Sequence, residues 1–126
     1  MTDKKINVLA VYDSNTTMHT VCELLKRIGF GRIDRAKDGE EAFSKMQENN
    51  YDFIVSECNM QPMTGIQLLK KVRDDEKLHK TPFLILTKEC CIDSIKAAKQ
   101  AGVSDYVIEP FNADFIKQRI DHHVLQ

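Results

Sequence analysis

Five short runs of apolar, β-rich residues recur along the chain, and each is followed by a stretch with apolar residues every three or four positions. The runs are INVLAV (6–11), RIDRA (32–36), DFIVSE (52–57), PFLILT (82–87) and DYVIE (105–109). Strands that alternate with helices predict a parallel sheet covered by helices on both faces. The first, third and fourth runs are almost wholly apolar, which is typical of central strands, whereas RIDRA alternates and favours an edge. The pattern predicts a doubly wound α/β fold of five βα units.

The helical stretches carry signals for where they begin and end. Asp38 with Glu41 three residues later predicts a capping box at the start of the second helix. Thr64 is predicted to cap the third helix, a fourth is predicted over 92–101, and a fifth follows Asn112. The inner face of the first helix is predicted to consist of Met18, Val21, Cys22, Leu25 and Ile28.

Polar side chains follow the first, third, fourth and fifth runs. Because open parallel sheets bind ligands at the carboxyl ends of their strands, we expect these side chains to meet at one edge of the sheet. The residues at these positions are Tyr12, Asp13, Glu57, Cys58, Asn59, Thr87, Lys88, Glu109 and Pro110. The sequence therefore predicts a polar site built from four strand ends.

Composition and charge narrow the class of partner. The 126 residues fit one domain over 1–126, and 18 basic against 19 acidic side chains leave a formal net charge of -1. A balanced charge excludes a strong field for nucleic acid or membrane, so a protein partner is expected. The run KKVRDDEKLHK (70–80) is predicted to be a solvated helix end and loop. The first apolar run is too short for a secretory segment or a membrane span, which predicts a cytoplasmic location.

Cysteines and histidines add no separate chemistry. The four cysteines show no metal-binding spacing, so reduced thiols are the default expectation. Cys58 could approach Cys90 or Cys91 at the rim of the sheet, with a redox or soft-metal role as the alternative to simple buried thiols. His122 and His123 are expected to complement the dipole of the last helix or to lie exposed.

Taken together, these segments resemble the receiver domain of two-component response regulators, most closely the single-domain chemotaxis (CheY-like) type. The resemblance spans essentially the whole chain and implies a flavodoxin-like strand order 2-1-3-4-5. It is carried by VYDSNTTM, RAKDGEEAF, ECNMQPMTG, LTKE and AGVSDYVIEPF. In such domains, acids after the first strand and an aspartate ending the third bind Mg²⁺, and that aspartate accepts a phosphoryl group from a histidine kinase. A hydroxyl after the fourth strand and a lysine before a proline hold the phosphate.

Some positions match the family pattern residue by residue. By resemblance, Asp13 is the second acid, Thr87 the phosphate-binding hydroxyl and Tyr106 the switch aromatic. Pro110 matches a proline whose preceding peptide is often cis, and Asn59 would join Asp13 and Glu57 around a metal ion. The switch aromatic reports to a surface formed by the fourth helix, fifth strand and fifth helix.

Three positions depart from that pattern. Tyr12 stands in place of the first acid, Glu57 in place of the phosphoacceptor aspartate, and Glu109 in place of the lysine. Phosphoryl transfer depends on positioning and on cations, and this site has lost its fixed cation. The carboxylate of Glu57 is one methylene further out, and Mg²⁺, which demands near-octahedral geometry, has lost an acid. Conventional aspartate phosphorylation is therefore not expected, and Mg²⁺ binding is weakened.

The acids that remain must be balanced. Two carboxylates about 5 Å apart repel by about 3 kcal/mol at an effective dielectric near 20. An internal ion pair of Lys88 with Glu57 or Glu109, a divalent cation held by Asp13, Glu57 and Glu109, or proton uptake would each relieve that repulsion. Glu57 itself is either a weak mimic of the phosphorylated state or a tolerated replacement in a disused site.

Three functions follow from these residues. The first is an atypical receiver, not an enzyme, that acts as a signalling interaction module through its fourth helix, fifth strand and fifth helix. Its expected partner is a histidine kinase or a flagellar or chemotaxis component, and the protein itself is expected to be a monomer or weak dimer. The second is a phosphorelay receiver with unusual chemistry on Glu57 or Asp13. The third is a metal- or ligand-binding module at the acidic cluster.

Overall fold

Strands and helices alternate along the chain. A computed structural model describes residues 6–88, 91–110 and 112–124. Within these ranges the elements are β1 (Asn7–Val11), α1 (Asn15–Ile28), β2 (Arg32–Ala36), α2 (Gly39–Glu48), β3 (Phe53–Ser56), α3 (Gly65–Asp74), β4 (Phe83–Thr87), α4 (Ile92–Gln100), β5 (Asp105–Ile108) and α5 (Ala113–Val124). The predicted βα units are thereby confirmed. No helix in this described part is long and apolar enough to cross a membrane.

The five strands form one parallel sheet in the order β2-β1-β3-β4-β5. Val8 of β1 pairs with Ile33 of β2 on one side and with Phe53 of β3 on the other. The predicted strand order and the edge position of RIDRA are both confirmed. β3 and β4 are buried along their whole length, as expected of strands covered on both faces.

Two apolar layers hold the helices against the sheet. Side chains alternate along each strand, so Val8 and Ala10 face one layer while Leu9 and Val11 face the other. The first layer packs α1 and α5, and the second packs α2, α3 and α4. The fold is therefore doubly wound, as predicted.

The predicted caps of α2 and α3 are both present, but the predicted capping box at α2 is not complete. The Asp38 carboxylate accepts the N–H of Glu41 at 2.8 Å, but the Glu41 carboxylate accepts the N–H of Lys37, one residue outside the predicted box. The complete capping box lies at α3 instead. There the Thr64 hydroxyl accepts the N–H of Gln67 at 3.1 Å, and the Gln67 side chain accepts the N–H of Thr64 at 2.9 Å. This reciprocal cap fixes where α3 begins.

The segment 70–80 is not wholly solvated, contrary to the prediction from its charge. Leu78 is buried, and Arg73 is half-buried because its guanidinium donates to three backbone carbonyls. These carbonyls belong to His79, Thr81 and Gly102. The charge count alone could not separate this arginine from its solvated neighbours.

Candidate functional site

The ends of three strands bring acidic and hydroxyl groups to one edge of the sheet. Glu57 directly follows β3, Thr87 ends β4, and Glu109 directly follows β5. The predicted strand runs extended one residue too far here, so both glutamates lie just beyond the sheet. Their backbones stay attached to it, because Glu57 N donates to Val11 O at 3.0 Å and Glu109 N to Thr87 O at 2.8 Å.

These side chains surround a small cavity of about 90 Å³. The cavity is lined by Thr16, Thr17, Thr20, Val21, Glu57, Leu86, Thr87, Lys88 and Glu109. The three α1 threonines were missed by sequence reasoning. Thr16 and Thr20 stand one helical turn apart, and this spacing in the first turns of the helix that follows the first strand was the signal that could have identified them.

The carboxylate of Glu57 takes two protein hydrogen bonds on one oxygen. Its Oε2 accepts the hydroxyl of Thr87 and the backbone N–H of Cys58, the latter at 2.9 Å. Thr87 is 3% exposed, so this contact is shielded from water. The hydroxyl that the resemblance assigns to phosphate binding is thus already bonded to a carboxylate of the chain itself.

Tyr12 lies in the core beside α1 and α5 and is absent from the lining of the cavity. Its side chain is 2% exposed, and its hydroxyl donates to the carbonyl of Leu86 at 2.8 Å. Burial, followed by the negative charge of Glu57, raises the pKa of Tyr12 well above its usual value. The phenol is therefore neutral and acts as a hydrogen-bond donor.

The predicted ion pair of Lys88 is present, but it lies on the surface. Lys88 Nζ is 3.9 Å from Glu109 Oε2, and the lysine side chain is 80% exposed. The prediction of an internal pair was wrong because an ammonium at the end of a flexible stem avoids the cost of leaving water. Such an exposed pair contributes less than about 1 kcal/mol.

Asp13 and Asn59 lie to one side of the cavity. Both are exposed, and they border a shallow depression with Met60 and Gln61. Asn59 also borders the opening that contains Glu57. Most of the predicted site residues therefore border the cavity and two further depressions, and Asn59 borders both of the latter.

The donors present do not fit a magnesium ion. Among the described residues, no three Asp, Glu, His or Cys side chains converge on a point that could hold a metal, so the three-acid cation predicted for Asp13, Glu57 and Glu109 is wrong. The alternative set of Asp13, Glu57 and Asn59 includes a carboxylate oxygen that already accepts two hydrogen bonds. Mg²⁺ requires near-ideal octahedral oxygen geometry, and Glu57 could join such a set only through its other oxygen, Oε1.

The remaining predicted features are less informative. The peptide before Pro110 is cis, as the resemblance implies, and so is the Gln61–Pro62 peptide. Cys58 is buried and Cys91 is exposed. Cys90 lies outside the described residues, as does any contact it makes.

Tyr106 lies at the edge of the sheet, half-buried against the layer of α2, α3 and α4. It borders a groove of about 340 Å³ between α4, β5 and α5. Ile92 on α4 and Phe115 on α5 are large apolar residues with 67% and 43% exposure. The groove is lined by Ile95, Lys99, Val103, Ser104, Asp105, Tyr106, Ile108 and Arg119.

Asp105 ties β5 to α5 at the end of this groove. Its Oδ2 accepts from Arg119 Nε at 2.5 Å and lies 3.1 Å from His123 Nε2, and its side chain is 12% exposed. His123 is therefore half-buried beside a carboxylate, whereas the sequence predicted only dipole compensation or exposure. Burial raises the pKa of Asp105, but the hydrogen bonds from Arg119 and His123 outweigh it, so the net shift is downward.

We expect Asp105→Asn to lower the free energy of unfolding by about 1–2 kcal/mol at pH 7, because charged hydrogen bonds are lost while Arg119 can turn to water. A carboxyl whose folded pKa is depressed contributes stability above its unfolded pKa of about 4 and loses it as the pH falls through the folded value. The variant should therefore lose less stability on acidification than the parent. Urea unfolding at neutral and acid pH measures both effects.

Asp121→Asn is the matched control, because its exposed pair with Lys117 at 3.0 Å is also on α5. It should change the free energy of unfolding by less than about 0.5 kcal/mol. Equal losses in the two variants would contradict a special role for Asp105.

Known proteins are similar to this chain in both sequence and structure. Residues 8–121 match the response regulator receiver domain. The chain is 40% identical to the chemotaxis protein CheY of Pseudomonas aeruginosa over 116 residues, which cover 92% of this chain and 94% of that protein. The structure of CheY4 of Vibrio cholerae superposes with a TM-score of 0.84 at 32% identity, covering 94% of this chain and 98% of the other.

A third likeness shows the fold alone. The receiver domain of a sensor histidine kinase from Pseudomonas aeruginosa PAO1 superposes with a TM-score of 0.88 at 21% identity, covering 97% of this chain and 99% of the other. That structure has a magnesium ion coordinated in its active-site cleft. The strand order and the helix layers are therefore shared with relatives and with more distant receivers.

Proposed function

The chain belongs to the response regulator receiver family, and on that premise we propose that it is a signalling module whose switch is set by its own Glu57. Receivers of the two-component and chemotaxis type are signalling modules that interact with kinases and other proteins. In this chain the signal would be read without conventional aspartate phosphorylation, and no catalytic turnover is part of the proposal.

One observation carries the proposal. A single oxygen of Glu57 accepts both the Thr87 hydroxyl and the Cys58 N–H. Permanent negative charge at this point engages the same threonine that the family resemblance assigns to the phosphate. Glutamate carries one charge and two oxygens against about -1.5 to -2 and three oxygens for a phosphoryl group, so the mimicry is partial.

The residues around Glu57 argue against ordinary acyl phosphate formation. Receiver domains commonly bind Mg²⁺ at the active site, but the donors here do not fit it. Tyr12 is a neutral, buried donor in place of an acid, and Glu109 puts negative charge where the resemblance expects a lysine. Since phosphoryl transfer depends on neutralising developing charge, these changes oppose it.

The output surface of the proposal is the α4–β5–α5 face, defined as Ile92, Ile95, Lys99, Tyr106, Ile108, Phe115 and Arg119. Its apolar residues and its groove suit an amphipathic helix of a protein partner. Arg119 on the groove is paired with Asp105, so Lys99 is the groove residue that favours an acidic residue on that helix. A histidine kinase or a flagellar or chemotaxis component, encountered in the cytoplasm, is the class of partner proposed.

Phosphorylation is the direct test. Incubation with a small-molecule phosphodonor and Mg²⁺, followed by intact mass measurement, should give no phosphoryl adduct on the wild-type chain. The matched control is the triple variant Tyr12→Asp, Glu57→Asp and Glu109→Lys, which restores the acid, the acceptor and the cation that the family pattern contains and should gain an adduct. An adduct on the wild-type chain would overturn the proposal in favour of a working phosphorelay receiver.

A further inference from the structure

The hydrogen-bond ladder between β3 and β4 stops one step before the candidate site. Ile54 N donates to Pro82 O at 2.9 Å, and the register continues to Ser56 opposite Ile85. In a parallel pair the donors of one strand recur every second residue, so the next donor beyond Ser56 is the N–H of Cys58. By the same count, its acceptor would be the carbonyl of Leu86.

That last rung is replaced by two side-chain bonds. The Cys58 N–H donates to Glu57 Oε2 at 2.9 Å, and the Leu86 carbonyl accepts the Tyr12 hydroxyl at 2.8 Å. Buried backbone groups need partners, and each group released by the missing rung has one. Glu57 and Tyr12 are both positions where the chain departs from the family pattern. Here Glu57 accepts from the donor of the missing rung, and Tyr12 donates to its acceptor.

We infer that Tyr12 is a positioning residue for the contact between Thr87 and Glu57. The Leu86 carbonyl belongs to the peptide bond that leads directly into Thr87, so the Tyr12 hydroxyl fixes the peptide from which the Thr87 hydroxyl is aimed. Because the Leu86 carbonyl already accepts the Tyr12 hydroxyl, the Cys58 N–H is available to donate to Glu57. The functional meaning of this inference rests on the proposed function, because it concerns what sets the switch.

Only a neutral donor can fill this position. Tyr12 is 2% exposed, and burial followed by the charge of Glu57 keeps its phenol protonated. An ionised acid at position 12, as the family resemblance expects, accepts hydrogen bonds and could not donate to a carbonyl. The exchange of acid for tyrosine and of aspartate for glutamate is therefore chemically linked.

The test compares two variants that each delete one phenolic hydroxyl and keep the ring. Tyr12→Phe removes the bond to Leu86, whereas Tyr51→Phe removes a bond to Asp34 at 2.6 Å on the β2 edge, away from the site. In Tyr12→Phe the Leu86 carbonyl is expected to compete for the Cys58 N–H, so the Cys58 amide resonance should move. Tyr51→Phe should leave that resonance in place.

A double-mutant cycle measures the coupling. Each single substitution multiplies the unfolding equilibrium constant by some factor. In the double variant Tyr12→Phe with Thr87→Val, the combined factor should differ from the product of the two single factors by at least about threefold. The cycle of Tyr51→Phe with Thr87→Val should be multiplicative within about twofold. Tyr12→Phe alone should raise the unfolding equilibrium constant about tenfold, because the Leu86 carbonyl can regain a donor only by taking the Cys58 N–H from Glu57.

Multiplicative behaviour in both cycles, with an unmoved Cys58 resonance, would overturn the inference and make Tyr12 a packing residue only. Should Tyr12→Phe fail to fold, the buried hydroxyl proton of Tyr12 is compared by NMR between wild type and Thr87→Val. An unchanged resonance there would also overturn it. None of these measurements uses a phosphodonor, so an adduct on the wild-type chain would refute the proposed function without altering their outcome.

Discussion

Gly65→Ala is expected to lower the free energy of unfolding by at least about 3 kcal/mol, at the upper end of single-residue effects. A Cβ at this first residue of α3 would lie 2.1 Å from the carbonyl oxygen of Glu57 and 3.2 Å from Cys58 Cα. Both neighbours are backbone atoms, so relief requires the loop after β3 to move. The same glycine donates its N–H to Cys58 O at 2.9 Å, which holds α3 against that loop.

Gly39→Ala is the control, because it also places a methyl group at the first residue of a helix. A Cβ there would lie 2.7 Å from Met63 Sδ and 3.0 Å from Met63 Cβ, so a side chain has to shift but no backbone atom is among the close neighbours. Alanine also favours a helix over glycine, so the change should stay within about 1 kcal/mol of the parent. Urea unfolding of both variants measures the difference, and equal losses would contradict the steric account.

The expected loss of stability in Gly65→Ala is relevant to function because the added Cβ would clash with Glu57, the residue on which the proposed function rests. Moving the Glu57 backbone would also move the carboxylate that receives the Thr87 hydroxyl. A folded Gly65→Ala protein should therefore show shifted Thr87 and Cys58 resonances, whereas Gly39→Ala should not. The close approach of α3 to the strand end is thus part of how the site is built.

The sequence was sufficient for the architecture because the architecture depends on hydrophobic period. The apolar runs at β3 and β4 predicted two fully covered strands, and both are buried throughout. The alternation of RIDRA predicted its edge position, which the pairing with β1 alone confirms. Such patterns are local and repeated, so an error at one residue shifts a strand end without changing the strand order.

The site was only partly predictable because its contacts depend on which polar group reaches which. Strand ends correctly placed Glu57, Thr87 and Glu109 at one edge, but charge arithmetic assigned Lys88 an internal role that solvation opposes. The bond from Tyr12 to Leu86 joins residues 74 positions apart and involves a backbone carbonyl, which has no side-chain signature. The sequence thus predicts which polar groups lie at the edge of the sheet better than it predicts which of them bond to one another.

Arg73, in the charged run 70–80, also makes contacts that the sequence does not reveal. Its guanidinium bonds to backbone carbonyls in two connections, and we call this arrangement a clamp. Its Nε donates to Gly102 O at 2.9 Å, and one terminal nitrogen donates to His79 O at 3.0 Å and Thr81 O at 2.6 Å. These acceptors lie in the α3–β4 and α4–β5 connections. The planar fork of a guanidinium suits several carbonyls at once, which a single ammonium cannot match.

Arg73→Met is therefore expected to lower the free energy of unfolding by about 2–3 kcal/mol, since charged hydrogen bonds are lost and the half-buried Thr81 carbonyl loses its donor. Methionine keeps most of the apolar stem, so the loss reports on the donors. Urea unfolding measures the change. Arg27→Met on the exposed end of α1 is the control and should stay within about 0.5 kcal/mol.

The same substitution should loosen α4, because Arg73 donates to Gly102 O just beyond the carboxyl end of that helix. Along its described length, Ala98 is the one fully buried residue of α4. Hydrogen exchange of the α4 amides should accelerate in Arg73→Met more than exchange in α1, which buries five residues. Uniform acceleration across both helices would indicate global destabilisation and contradict a clamp. Since α4 contributes Ile92 and Lys99 to the α4–β5–α5 face, the clamp would also set how rigidly that face meets a partner.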